Sequence, residues 1–324
     1  MSQEENWSLP EALQPDAGEL AFDLPRALDA MVALHARIPD DAFTAGILGT
    51  ERTGYGAVIH PGGLVVTIGY LITEAESIWL TTNRGDVVEG WPILYDQSTG
   101  LGLIQPLGPL DATSLDRGRA ADVRVGEVVT AIGHGGREHA IRTRVLEKRE
   151  FAGYWEYVLD EAIFSSPAHP QWSGAALLDR HGRLVGIGSL LVQAESDGKE
   201  SHANMFVPID LLDTLLDRLA HPSRQAEPPR PWLGMYAQEA NGNLVVIGTA
   251  PNGPADEAGI QQGDLVLGVA TTRVHQLAEF FRLVWRQGKA GVDIPLSIAR
   301  AGDVLRITVK SADRNDFLKK PEVH

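Results

Sequence analysis

Between Thr53 and Phe206 the chain alternates short apolar runs with tight-turn clusters and shows no helix-length amphipathic stretch. A closed or layered all-β arrangement satisfies that pattern, and an alternating α/β fold does not. Tyr55–Ile59 and Leu64–Thr67 flank His60-Pro61-Gly62-Gly63, and Ile78–Thr82 and Val87–Tyr95 flank Asn83-Arg84-Gly85-Asp86. The Arg-Gly-Asp triplet is read as turn chemistry rather than as an adhesion signal, since Asn and Gly are what a two-strand connector requires. Further strands are predicted at Val128–Ile132, Ile141–Glu147, Tyr154–Leu159, Gly174–Leu178 and Leu184–Val192.

The flanks read differently. Residues 1–22 are expected to be an acidic, disordered tail. A helical segment over 23–50 is predicted from Pro25 in a first-turn position and Leu24, Leu28, Met31, Val32 and His35 at helical spacing. Residues 208–219 place apolar side chains at helical intervals after Pro208 and predict a helix that closes the β domain, which spans 23–220. The segment 221–231 is proline-rich and polar, a stiff linker. Residues 232–313 suit a small β-rich module with two helices, and 314–324 form a charged tail.

The chain has 324 residues, enough for two cores, and carries 43 acidic against 28 basic side chains. Nine acids and two arginines lie in residues 1–50, so that segment alone is net −7. This balance repels phosphate backbones and anionic lipid surfaces, which argues against nucleic-acid and membrane-surface roles. There is no cysteine, which excludes disulfides, thiolate metal sites and a cysteine nucleophile; no cofactor or metal is called for. The apolar runs Leu64–Ile72 and Leu184–Val192 are strand-sized and too short to span a bilayer. Met1–Glu19 lacks a basic and apolar leader, so the expected location is cytoplasmic.

Residues 170–178, Pro-Gln-Trp-Ser-Gly-Ala-Ala-Leu-Leu, resemble the nucleophile loop of HtrA-type serine proteases, which join a trypsin-like domain to a PDZ domain. Six further segments resemble the same family in its order. They are Thr53–Ile59, Val65–Ile72, Asp96–Ile104, Arg124–Gly133 and, after the serine, Leu184–Gly188 with Asn204–Ile209. The resemblance covers about residues 50–313 and implies a mainly β fold, a trypsin-like double β-barrel followed by a PDZ domain. It places Ser173 at the nucleophile position, Tyr70 at the histidine position and Gly100 at the aspartate position.

Those replacements matter chemically. A serine hydroxyl needs a base to take its proton, and the base needs a partner to orient it. A phenol with an ordinary pKa near ~10 is not a base at neutral pH, and glycine orients nothing. The resemblance assigns the oxyanion hole to the backbone N–H groups of Gln171 and Ser173, with Gln171 replacing glycine. His134, His139 and His169 are candidate substitute bases, with Asp96 or Asp160 as a supporting acid; Lys148 is a weaker candidate.

In the C-terminal module, Pro231–Tyr236 resembles the carboxylate-binding loop of HtrA-type PDZ domains, and Gly253–Leu267 resembles a PDZ helix and turn. The resemblance implies that an apolar peptide C-terminus adds as a strand at Gly234–Ala237. The N–H groups of Leu233, Gly234 and Met235 would hold its carboxylate; Tyr236, Leu277 and Phe281 are the other candidate groove residues. The combined expectation is a pseudoprotease that binds proteins or peptides as a scaffold. The alternative is an active serine endopeptidase that uses Ser173 with a non-standard base. A homotrimer is implied by resemblance only.

Overall fold

A computed structural model describes residues 7–196, 199–221 and 228–320. The chain divides into two compact units. One holds residues 1–149, 161–221 and 319–324; the other holds 150–160 and 222–318.

The first unit contains two six-stranded antiparallel barrels. Helix α1 (Leu24–Asp29) is followed by β1 (Met31–Arg37), helix α2 (Ala45–Leu48), β2 (Glu51–Val58), β3 (Val65–Ile68), β4 (Ser77–Thr82), β5 (Val87–Tyr95) and β6 (Leu101–Pro106). These six strands close in the order β1-β2-β3-β6-β5-β4. The second barrel uses β7 (Val128–Ile132), β8 (Ala140–Gly153), β9 (Tyr157–Ser166), β10 (Ala176–Leu178), β11 (Leu184–Ser196) and β12 (Lys199–Pro208). They close as β10-β11-β12-β9-β8-β7. Closure leaves no unpaired sheet edge, which is how such short strands become stable. Helix α3 (Leu212–Ala220) follows, as its apolar spacing predicts, and buries Leu212 and Leu215.

The helical segment over 23–50 is corrected. Only Leu24–Asp29 is helical before residue 31; Met31–Arg37 is a strand. Met31, Val32 and His35 fit a helical stripe by accident. Pairing with β2 (Met31↔Ala57) and β4 (Val32↔Thr82) completes the barrel and outweighs local propensity. His35 faces outward from that strand, bonded to Glu51 at 2.5 Å.

The acidic tail also differs from expectation. Leu9 is buried, its N–H donates to the Glu138 carbonyl, and Trp7 sits edge-on to His139. Residues 7–20 are therefore placed by apolar contacts; residues 1–6 lie outside the described residues, as does most of the linker (222–227). At the other end, the Lys319 N–H donates to Glu74.

The second unit is a sheet ordered β13-β14-β15-β17-β18, with β16 paired to β15. Its elements are β13 (Met235–Ala240), β14 (Asn243–Thr249), helix α4 (Pro254–Glu257), β15 (Leu265–Val269), β16 (Thr272–Arg273), helix α5 (Leu277–Arg286), β17 (Asp293–Arg300) and β18 (Asp303–Lys310). Its core joins Leu233, Met235, Phe280, Phe281, Val284 and Ile298. The end of β8 and the start of β9, residues 150–160, belong to this unit, and Ala152 and Val158 pack against its core.

Candidate functional site

Ser173 lies between β9 and β10 in a loop fixed at both sides by backbone bonds. The Ser173 carbonyl accepts from Tyr55 N at 2.8 Å, and Gly174 N donates to the Gly188 carbonyl at 2.9 Å. Gly174 has φ +78°, and a Cβ there would lie 1.9 Å from the Tyr55 carbonyl oxygen. Only glycine fits, which explains the Ser-Gly pair. Asn204 clamps the approach to the loop: its Oδ1 accepts from His169 N at 2.6 Å and its Nδ2 donates to the His169 carbonyl.

Tyr70 reaches the serine from the 3-10 turn after β3. Its hydroxyl is 2.7 Å from Ser173 Oγ and 3.0 Å from the Ser189 carbonyl oxygen. Among the described residues no other side chain hydrogen-bonds the Ser173 hydroxyl. Burial pushes the Tyr70 phenol up to about 12, against the opposing pull of hydrogen bonds with Ser173 and Trp172. The phenol is therefore neutral at ordinary pH. Whichever hydroxyl donates in the pair, a neutral phenol oxygen accepts a hydrogen bond but does not remove the serine proton.

The turn that carries Tyr70 is held by a buried guanidinium. Arg52 Nη1 donates to the carbonyls of Tyr70 (2.6 Å) and Thr73 (3.1 Å), and its Nη2 to Thr44 Oγ1. Burial lowers Arg52 to about 10, and Glu74 opposes that shift. Nothing in the sequence around Arg52 marks this role, because its partners are loop carbonyls set by the fold.

Gly100 occupies a tight turn: its N–H donates to the Asp96 carbonyl and its own carbonyl accepts from Gly69 N at 2.6 Å. Its φ of +76° is left-handed, a region glycine adopts freely and other residues enter at a cost. Asp96 is no substitute. Its carboxylate is taken by Ser98 Oγ (2.7 Å), Thr99 N (3.0 Å) and Arg218 Nη2 (2.7 Å), which hold it below the usual range despite burial. Asp160 pairs with Arg282 at 2.6 Å in the second unit.

Among the described residues none of the three candidate histidines hydrogen-bonds the Ser173 hydroxyl. His169 is fully buried; its Nε2–H donates to the His139 carbonyl at 3.0 Å and its Nδ1 accepts from Gln171 N at 3.1 Å. Burial drives its pKa down to about 4. His134 Nε2–H donates to the Thr82 carbonyl at 3.1 Å. His139 is packed under Trp7, and its pKa is lowered chiefly by burial. Lys148 is bonded to Glu161 at 2.7 Å and to the Ala120 carbonyl.

The same bond corrects the oxyanion assignment. The Gln171 N–H points at the His169 ring rather than into a space beside Ser173, and the Gln171 side chain is bonded to the Tyr55 hydroxyl. One of the two expected donors is thus spent inside the loop.

In the second unit the N–H groups of Leu233, Gly234 and Met235 converge, as expected of a carboxylate loop. Their acceptor is the side chain of Glu156, with Gly234 N at 2.9 Å from Oε1. Tyr236 is half-buried and edge-on to Tyr154. Leu277 and Phe281 are 5% and 1% exposed and belong to the module's core cluster. Sequence reading missed Glu156, which lies 78 residues from Gly234. Among the described residues no cluster of three or more His, Asp or Glu is placed to hold a metal, and no helix is long and apolar enough to cross a membrane.

Residues 54–187 match the trypsin-like peptidase domain family, and residues 231–311 match the PDZ domain family. Protease Do-like 1, chloroplastic, of Arabidopsis thaliana is 25% identical over 86% of this chain and 68% of its own length. Serine endoprotease DegS of Haemophilus influenzae is 23% identical over 81% of this chain and 77% of its own. Among solved structures, the HtrA-type protease AlgW with a tripeptide superposes with a TM-score of 0.52 at 19% identity, over 95% of this chain and 99% of that one. The serine endoprotease from Yersinia pestis gives the same TM-score at 20% identity, over 92% and 98%. At these identities the structural likeness speaks for the fold.

Proposed function

Since this chain joins a trypsin-like peptidase domain to a PDZ domain, we propose that it binds polypeptides without cleaving them, its Ser173 silent and its C-terminal module serving peptide recognition. The observation that carries this reading is the 2.7 Å contact between Ser173 Oγ and the Tyr70 phenol. Peptide hydrolysis begins when the serine oxygen attacks a carbonyl while its proton leaves to a base. Here the group in contact with that oxygen holds its own proton up to about pH 12. The committed Gln171 N–H removes a second contribution, stabilisation of the oxyanion. Loss of the base alone costs on the order of a million-fold in turnover in a triad of known type.

Peptide binding is supported by the PDZ match over 231–311 and by the three convergent N–H groups. Among the described residues strand β13 pairs only with β14, so its other edge has backbone groups to offer an added strand.

The relatives are named as proteases, so cleavage is the competing reading. Incubating unfolded casein with the wild-type chain and with Ser173→Ala separates the two. No Ser173-dependent fragments are expected. Fragments that vanish in Ser173→Ala establish an endopeptidase, and replacing His134, His139 and His169 in turn then identifies its base.

A further inference from the structure

The carboxylate loop of the C-terminal module already holds a carboxylate. Leu233, Gly234 and Met235 direct their N–H groups at the Glu156 side chain, at 3.3, 2.9 and 3.3 Å from Oε1, and Leu233 N is also 3.3 Å from Oε2. These are the three donors that the family resemblance reserves for a peptide terminus. A side-chain carboxyl and a terminal carboxylate offer such donors the same two oxygens; burial raises the Glu156 pKa to about 7, and the three N–H bonds with the nearby Arg314 charge oppose that shift.

Glu156 is placed there by several independent features. It ends the turn between β8 and β9, where its own N–H donates to the Gly153 carbonyl at 3.0 Å. Its φ is +66°, a left-handed conformation that a non-glycine residue adopts at a cost and that surrounding contacts must maintain. It is 6% exposed. On one side, Tyr154 stands edge-on to Tyr236, the second residue of β13. Beneath the turn, Ala152 and Val158 pack on the module's core. Farther along, Arg282 of α5 reaches both strands of the hairpin, pairing with Glu150 and with Asp160 at 2.6 Å. Arg314 adds positive charge near the carboxylate; its buried Nε and Nη1 have no hydrogen-bond partner among the described residues.

We infer that Glu156 is an intramolecular ligand of the PDZ carboxylate loop, and that a polypeptide with a free C-terminal carboxylate binds this module only by displacing it. A free terminal carboxylate presents the same pair of oxygens that Glu156 now places against the three N–H groups, so the free acid rather than the amide is the ligand form expected to compete. The inference rests on the peptide-binding reading of the module for its second half, and on the observed Glu156 contacts for its first.

The hairpin then acts as a competitor at high effective concentration. External affinity falls in proportion to the fraction of molecules in which the loop is open. Removing the carboxylate should raise affinity by at least about tenfold if the loop is filled in nine molecules of ten or more.

The test uses the full chain, as wild type, Glu156→Gln and Glu156→Ala. The first probe is a fluorescent peptide with an apolar C-terminus, supplied as the free acid and as the amide, read by anisotropy. The second measurement is hydrogen exchange of the Leu233–Met235 amides, which reports loop occupancy without any peptide. Expected are tenfold or tighter binding of the free acid to both variants than to wild type, weaker binding of the amide, and faster exchange at the three amides in Glu156→Ala. Equal peptide affinity in wild type and both variants overturns the inference while leaving the module a peptide binder. Equal exchange in wild type and Glu156→Ala overturns it whatever the peptide does. Faster exchange with no peptide bound by any of the three proteins keeps Glu156 as the loop's ligand and sinks the peptide-binding reading instead.

Discussion

Acid should weaken the trypsin-like unit through His169. The imidazole is fully buried and its two nitrogens are committed: Nε2–H to the His139 carbonyl, and Nδ1 as acceptor for Gln171 N. A charged ring at this position would lose its solvation, because the side chain is fully buried. That desolvation is what drives the pKa from 6.5 down to about 4. In the unfolded chain the same ring takes up its proton near pH 6.5. Between the two values the unfolded state binds more protons, so stability is complete above about pH 6.5 and is lost as pH falls toward 4. The full difference of about 2.5 units corresponds to about 3 kcal/mol. Between about pH 7 and pH 4.5 the accessible part is about 2 kcal/mol. Urea denaturation at those two pH values, in wild type and His169→Gln, isolates it. Gln keeps a neutral donor and acceptor but cannot charge, and carboxylate titrations elsewhere are common to both proteins. Wild type should lose about 2 kcal/mol more than the variant over that interval. Parallel loss in the two proteins refutes the assignment of His169 as a buried neutral imidazole, and with it the view that Gln171 N–H is committed.

Two further outcomes follow from the serine loop. Gly174→Ala sets a Cβ 1.9 Å from the Tyr55 carbonyl oxygen at φ +78°, and should cost roughly 3 kcal/mol or more; a melting temperature within a degree or two of wild type contradicts the close approach. The double variant Tyr70→His with Gly100→Asp should still fail to cleave casein, because Gln171 N–H remains bound to His169 and position 100 remains left-handed; vigorous cleavage by that variant shows that the triad side chains were the sole deficit.

The sequence revealed the barrels through their turns. His60–Gly63 and Asn83–Asp86 each separate two strands that the structure contains, and the ordered motifs placed Tyr70, Gly100 and Ser173 in one domain. What it concealed was non-local. Met31–Arg37 carries a helix-like apolar spacing, and only its partners at Glu51–Ala57 and Ser77–Thr82 make it a strand. The side chain at 171 was visible as a departure from glycine. The fate of its N–H depends on the His169 ring, whose orientation is set by Asn204 and the His139 carbonyl from distant strands. Glu156 gave no signal for the same reason: an acid in a hairpin turn is unremarkable until a loop 77 residues later folds over it. Trp7 and Leu9 lie in an acidic segment whose charge suggested solvation, yet two apolar side chains suffice to dock it.

The central claim is that nothing in contact with Ser173 removes its proton. A fluorophosphonate reports this directly: the serine oxygen bonds to phosphorus, fluoride leaves, and the reaction is fast only where a base takes the hydroxyl proton. Mass spectrometry of the wild-type chain after exposure to the probe at neutral pH should show an unmodified Ser173 peptide, indistinguishable from background labelling in Ser173→Ala. Stoichiometric phosphonylation at Ser173 would contradict the account.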